Sequence, residues 1–375
     1  MSSERSAGPL AQSTQGDPMN RRRLYLPLIP AMLLLASCAD ETGLTRPNDG
    51  AVGLPVMSIA AASNTWTPAS GPGSLAPMPT PRSFLTGGVA NNSLGQPVFY
   101  AMGGIDPNTG PVKTVEAYNF ATDKWTRRAR LPFMLDGING VANIGGKLYL
   151  SGGFFTSPDG HRGASLRLYV YDPRQNTWTR KADMPRKIAQ GISGAINGKL
   201  YVLSGYCQYC PSRVSTYLYE YDPVTNTWET DYPWSPHPHV SGAGAVINGK
   251  FYVAGGRGKN GLPTNKLDVY DPVTNVWTTL APMPTARAGM AAAVLQNKLY
   301  VIGNASVDPG EPQGQVEAYD PVTNRWTTKA SLPGAGRGDL AVGRVTWQGK
   351  SHILAIGGTD VEGSGPGDVN QAYTP

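Results

Sequence analysis

The sequence predicts an all-β chain of six repeated four-stranded units, and three observations predict it. First, tryptophan recurs at Trp66, Trp125, Trp178, Trp228, Trp277 and Trp326, at intervals of 59, 53, 50, 49 and 49 residues. Tyr-Asp-Pro-Arg-Gln-Asn-Thr-Trp ends at Trp178, and Tyr-Asp-Pro-Val-Thr-Asn-x-Trp ends at Trp228, Trp277 and Trp326; Tyr118 to Trp125 is a looser copy. Second, each unit carries a glycine doublet or a degenerate form of one: Gly103-Gly104, Gly152-Gly153, Ser204-Gly205, Gly255-Gly256, Gly303-Asn304 and Gly357-Gly358. Third, 46 Gly and 33 Pro with no useful helix-period stretch fit a turn-rich chain. A period near 50 residues marks a repeat architecture, which overrides the multi-domain expectation from length alone.

The unit ending at Trp277 shows each element in order. Ser241 to Ile247 is small and apolar, and Asn248-Gly249 follows. Asn-Gly suits a tight hairpin because both central residues need positive φ. Lys250 to Ala254 is the second apolar run, closed by Gly255-Gly256, where glycine implies a bulge or a close backbone approach. Leu267 to Tyr270 is the third strand; Asp271-Pro272 opens the turn to the fourth, which holds Trp277. The recurring Tyr and Trp are large enough to fill the gap between neighbouring sheets. No unit buries both faces alone, so units must stack.

The two ends fit together. The last unit stops at Tyr373-Thr374-Pro375 without a fourth strand, and Asn64-Thr65-Trp66 is a spare fourth strand at the start. Pairing the two would remove exposed sheet edges.

This pattern resembles the kelch repeat, over roughly residues 64 to 375. The resemblance implies a six-bladed kelch-type β-propeller, each repeat one four-stranded blade around a central channel, closed by the N-terminal strand in the C-terminal blade. It implies a monomeric propeller.

Residues 1–37 read as a signal peptide, with translation starting at Met19. Arg21-Arg22-Arg23 precedes an apolar run from Leu24 to Ala36, and Leu35-Ala36-Ser37-Cys38 resembles the bacterial lipobox, in which the cysteine is lipidated. The other reading is an ordinary signal peptide with a chance Cys38. Residues 38–62 read as the lipidated Cys38 and a flexible tether, and 63–375 as the propeller. The expectation is an exported, membrane-anchored lipoprotein, periplasmic or at the cell surface. After Cys38, 28 basic and 24 acidic residues leave a net charge of about +4. That is well short of a nucleic-acid signature, and no such partner is expected.

Cys207-Gln208-Tyr209-Cys210 reads in an exported protein as a local disulfide, with a redox centre, a metal site sharing His237 and His239, or free thiols as alternatives. No metal or other cofactor is expected. Aligning the units places Arg82, Asp136, Ile188, His239, Arg287 and Arg337 at one position, just before the innermost strand. Arg82, Arg287 and Arg337, from adjacent blades, would form a positive arc at the channel mouth suited to carboxylates. Arginines at this position line the ligand pocket in kelch proteins that bind acidic peptides. The structural reading is that each satisfies backbone carbonyls of the next blade instead. Trp234, outside the repeat's tryptophan position, is a platform for sugar or peptide, or a cover for a blade edge. Arg337-Gly338-Asp339 spells an adhesion tripeptide but falls at the inner-strand start, and is discounted.

Nothing resembles a complete catalytic constellation. The leading expectation is a non-catalytic module that binds a protein, peptide or anionic glycan through the loop-bearing face and channel mouth. The alternative is a periplasmic carbohydrate-active enzyme resembling sialic acid mutarotase, with channel-mouth arginines and Asp136 with His239 as acid and base. The copper oxidase branch of kelch proteins needs a Tyr–Cys crosslink and more His ligands than this chain supplies.

Overall fold

A computed structural model describes residues 63–375 except 138–139, 158, 204, 211–212, 305–313, 335–336 and 361–366. The expected signal peptide, Cys38 and tether lie outside the described residues. Among them are six four-stranded antiparallel sheets. The first comprises Thr86–Asn91, Pro97–Met102, Val115–Asn119 and Lys124–Arg127, and the second Ala142–Ile144, Lys147–Ser151, Leu168–Asp172 and Thr177–Lys181. The third is Ile192–Ile196, Lys199–Leu203, Leu218–Asp222 and Thr227–Glu229; the fourth is Ala243–Ile247, Lys250–Ala254, Leu267–Asp271 and Val276–Leu280. The fifth is Ala291–Leu295, Lys298–Ile302, Val316–Asp320 and Arg325–Lys329. The sixth joins Ala341–Trp347, Lys350–Ile356 and Asn370–Thr374 to Thr65–Trp66 from the other end of the chain.

In the first five sheets the strands run in chain order from the inside outward, the sixth taking its outer strand from the start of the chain, and the inner strands of successive sheets lie against one another. The core follows from that stacking. It consists of six buried clusters, each drawn from two neighbouring sheets. One of them joins the sixth sheet to the first, through Leu354 and Ile356 against Phe99 and Tyr118. Inner strands use glycine where sheets converge: a Cβ on Gly244 would fall 2.6 Å from the Ile192 side chain of the third sheet.

The Tyr…Asn-x-Trp signature is a latch between sheets. Asn176 takes positive φ, its Oδ1 accepts from the Tyr171 hydroxyl at 2.6 Å, and it also accepts the Ala129 N–H at 2.9 Å. Trp178 Nε1 donates to the carbonyl of that same Ala129, at 2.9 Å. One alanine on the strand leaving the preceding sheet is thus held at both its polar backbone atoms. Ala182 is gripped the same way by Asn226 and Trp228, and Ala281 by Asn324 and Trp326. Ala76 is held by Asp123 and Trp125. The N-terminal strand repeats the device: Asn64 accepts from Tyr373 and Ala330, and Trp66 donates to the Ala330 carbonyl.

Candidate functional site

The arginines just before the inner strands of the first, fifth and sixth sheets act as rivets, which corrects the expected arginine arc. Arg82 is fully buried. Its guanidinium donates to the carbonyls of Gly103 (2.8 Å) and Thr114 (3.0 Å) and to Glu116 Oε2 (2.8 Å), all in its own sheet. Arg287 does the same with Gly303, Gln315 and Glu317, and Arg337 with Gly357, Val369 and Gln371. Meanwhile the backbone carbonyl of each accepts an N–H from the glycine-doublet position of the preceding sheet: Gly358 to Arg82, Gly256 to Arg287, Asn304 to Arg337. The side chain grips the first residue of its own doublet, and the backbone takes the second residue of its neighbour's. These bonds from the three guanidiniums run within their own sheets, not to a point the three share.

His239 fills the same slot with different chemistry. It is fully buried, with Nδ1 2.7 Å from the Gly255 carbonyl and Nε2 3.0 Å from Asp268 Oδ2. A carbonyl only accepts, so Nδ1 carries a proton, and Nε2 faces an ionised carboxylate. Burial raises the Asp268 pKa, but bonds from His239, Thr279 and His237 outweigh it and hold the carboxyl below the usual range. The ring thus stands where the first and fifth sheets have a guanidinium, spanning the doublet carbonyl and a carboxylate. His237 Nδ1 lies 2.9 Å from the same carboxylate. These two histidines therefore serve Asp268 rather than a metal shared with the cysteines. No cluster of three or more His, Cys, Asp or Glu able to hold a metal occurs among the described residues.

Asp136 is buried and paired with Arg162, whose guanidinium also stacks 4.1 Å from the Phe154 ring centre. Burial pushes the Asp136 carboxyl up, and Arg162 only partly offsets it. Asp136 and His239 thus do not meet as an acid and base: each is tied into its own sheet. Cys207 and Cys210 are joined as a disulfide. Cys207 pairs with Ile188 beside the third inner strand, and the short loop holds Tyr209 outward, 72 % exposed.

Trp234 is 65 % exposed. It stands edge-on to Tyr217, with ring centres 5.1 Å apart. The Arg186 guanidinium lies 5.1 Å from the Tyr217 ring, and the Lys187 ammonium 5.4 Å from the Tyr209 ring. Two strongly exposed aromatics and two cations therefore gather on the loops of the third sheet and the connection to the fourth.

Sequence reasoning missed a belt of backbone bonds beside the inner-strand starts. Phe84, Gly137, Gln190, Ser241, Gly289 and Asp339 all have positive φ. Five bonds link them in sequence: the N–H of Gly137 to Phe84 O, Gln190 to Gly137, Ser241 to Gln190, Gly289 to Ser241, and Asp339 to Gly289, at 2.8 to 3.1 Å. Inside this belt is a cavity of about 80 Å³ lined by inner strands of all six sheets and by Phe84 and Asp339. The signal was in the alignment: Asp339 falls two residues after Arg337, as Gly289 falls two after Arg287, and asparagine and aspartate are the residues that best replace glycine in the left-handed region.

Comparison with known proteins agrees with this architecture. Residues 138–358 match the family described as the KLHDC2/KLHL20/DRC7 Kelch-repeats domain, and residues 96–132 match the Kelch motif. Kelch-like protein 15 of Danio rerio is 36 % identical over 120 residues, covering 31 % of this chain and 18 % of that protein. Kelch-like protein terF of Aspergillus terreus is 28 % identical over 168 residues, covering 42 % and 36 %. A Kelch domain-containing protein of Sulfurisphaera tokodaii is 26 % identical over 160 residues, covering 42 % and 21 %. The chain therefore matches well under half the length of these relatives. The solved structure of YjhT shares the fold, with a TM-score of 0.65 at 21 % identity, covering 79 % of this chain and 95 % of that one. With the matched Kelch-repeats domain spanning more than half of its residues, the chain belongs to the kelch-repeat family.

Proposed function

We propose that the chain is a closed six-bladed propeller serving as a non-catalytic binding module, with its loop-bearing face taking a protein or peptide partner. The six sheets would be its blades, and the Asn64–Trp66 segment its closure. The observation that carries the binding reading is the exposed group of Trp234 and Tyr209 with Arg186 and Lys187. Exposed aromatics beside cations are the composition enriched at protein interfaces, and a rigid scaffold under loops suits recognition. The cations favour a partner segment with acidic residues. Kelch-repeat family membership supports the same role.

The enzymatic alternative required free arginines and a convergent acid and base. The side chains assigned to those roles are occupied within their sheets, so binding is the better-supported reading. Export and a lipid anchor at Cys38, on the periplasmic or outer face of a membrane, remain part of the proposal and would place the binding face outside the cytoplasm. A lipid-labelling test with Cys38→Ser checks that part separately.

Binding is tested by screening the protein against an array of acidic and basic peptides and anionic glycans, and repeating it with Trp234→Ala and Tyr209→Ala. Acidic peptides should be selected, and each variant should weaken them by roughly tenfold or more, as expected for an aromatic anchor. Unchanged binding in both variants would remove the patch from the proposal.

A further inference from the structure

The cavity inside the belt carries a feature that the binding reading does not use. Asp339 sits in the belt and lines the cavity with Gly87, Gly140, Gly289 and Ala341. No hydrogen bond reaches its carboxyl among the described residues, whereas Asp136, at another inner-strand start, pairs with Arg162, and Asp268, on the third strand of the fourth sheet, with His239 and His237. Asp339 is the sole titratable side chain among the described residues lining this cavity. The exposed Arg257, on the fourth sheet's loop, is the charge that acts on it from outside.

We propose that this cavity is a binding site for a primary ammonium group on a slender, unbranched stem, held by the Asp339 carboxylate. A carboxylate partly stripped of water and lacking donors is costly, and an entering cation repays that cost. The lining selects the shape. Glycine and alanine on the inner strands leave a space of about 80 Å³, room for several water molecules or a short alkyl chain, so a slender stem fits it better than a bulky one. One carboxylate without further ligands does not make a metal site, which needs a multidentate oxygen set. The wall offers Thr86 and Ser193 as further hydroxyl acceptors for an ammonium's remaining protons.

Burial pushes the Asp339 carboxyl up to about 7, with Arg257 pulling the other way. A cation binds the ionised form, so affinity should rise with pH through that range. This inference stands apart from the aromatic patch: either can fail alone.

Two sources carry the same chemistry, a free alkylamine and a lysine side chain of a partner. The experiment titrates the full chain with n-butylammonium, n-butanol and the capped tripeptide Gly-Lys-Gly, at pH 8 and pH 6, by calorimetry or ligand-observed NMR. Saturable binding of n-butylammonium at pH 8 is expected, about tenfold weaker at pH 6, in proportion to the ionised carboxyl. n-Butanol should not compete. Tighter binding by the tripeptide assigns the lysine source, and tighter binding by the amine assigns the free one. Asp339→Asn should abolish binding, and asparagine tolerates the left-handed backbone there. The pH dependence of the unaltered protein serves as a second measurement if that variant folds poorly. Equal binding at both pH values, competition by butanol, displacement by magnesium or calcium, or no saturation at millimolar probe would each overturn the proposal.

Discussion

The fourth and fifth sheets are written in almost the same letters, and they are held together differently. Both end in Tyr-Asp-Pro-Val-Thr-Asn-x-Trp. In the fifth, Arg287 pairs with Glu317 and Met283 plugs the gap, 1 % exposed. In the fourth, His239 pairs with Asp268, and the plug position holds Ser235, whose hydroxyl donates to the His237 carbonyl at 2.9 Å. The latched alanine is Pro233 instead, which has no N–H to give Asn275, so Trp277 alone holds it, at 2.9 Å. A purely apolar plug has become a polar network, and the residue beside it, Trp234, points into solvent. The difference teaches that in these two sheets the slot ties the doublet carbonyl to a carboxylate, and that its chemistry can change when both partners change together.

The largest test breaks the fifth sheet's rivet. Arg287→Ala should strand Glu317 without its partner in the core, and cost about 3–5 kcal/mol in urea unfolding at neutral pH. Removing the acceptor in the fourth sheet should cost less, because His237 and Thr279 can still find partners: Asp268→Asn is expected to lose about 2–3 kcal/mol at pH 7. The pH dependence has a definite sign. The folded carboxyl of Asp268 is depressed, so its stabilisation is complete above the unfolded value near 4 and is lost as pH falls through the lower folded value. Acid unfolding monitored below pH 4 should show that loss in the unaltered protein and not in the variant.

Exchanging the pair sharpens the comparison. His239→Arg with Asp268→Glu rebuilds the fifth sheet's arrangement in the fourth. The double variant should be more stable than the sum of its two single variants predicts, by about 1–3 kcal/mol of coupling. Additive effects would mean that the pairing is incidental. The smallest effect belongs to the irregular residue: Trp234→Ala should leave stability within about 0.5 kcal/mol, as for an exposed side chain with no structural task. A larger loss in thermal melts would make Trp234 a cover for the blade edge rather than a platform.

The architecture was legible because its signals are periodic. Trp, Gly-Gly and Asn recur in register, and each recurrence is a backbone or packing requirement that the whole repeat shares. Alignment also found the right slot, naming Arg82, Asp136, His239, Arg287 and Arg337 at one position. What it could not give was direction. A side chain at the start of an inner strand can face the channel or turn back between its own strands, and the deciding partners, Glu116, Glu317 and Gln371, lie about thirty residues further on. A matched-pair reading would have found them, since the acceptor changes with the donor from unit to unit. Asp339 was hidden for another reason: it was read with its neighbours as a tripeptide rather than with its counterparts around the belt.

The latch on Ala330 has a mechanical consequence. Thr65–Trp66 is a two-residue strand, held by pairing to Tyr373 and Thr374 and by the Trp66 grip on the next sheet's connection. Tension arriving along the chain from before Asn64 would load this short strand first. Under the proposed closure and the proposed anchor at Cys38, a pull on the chain would register as an opening of the sixth sheet's outer strand before its other strands yield.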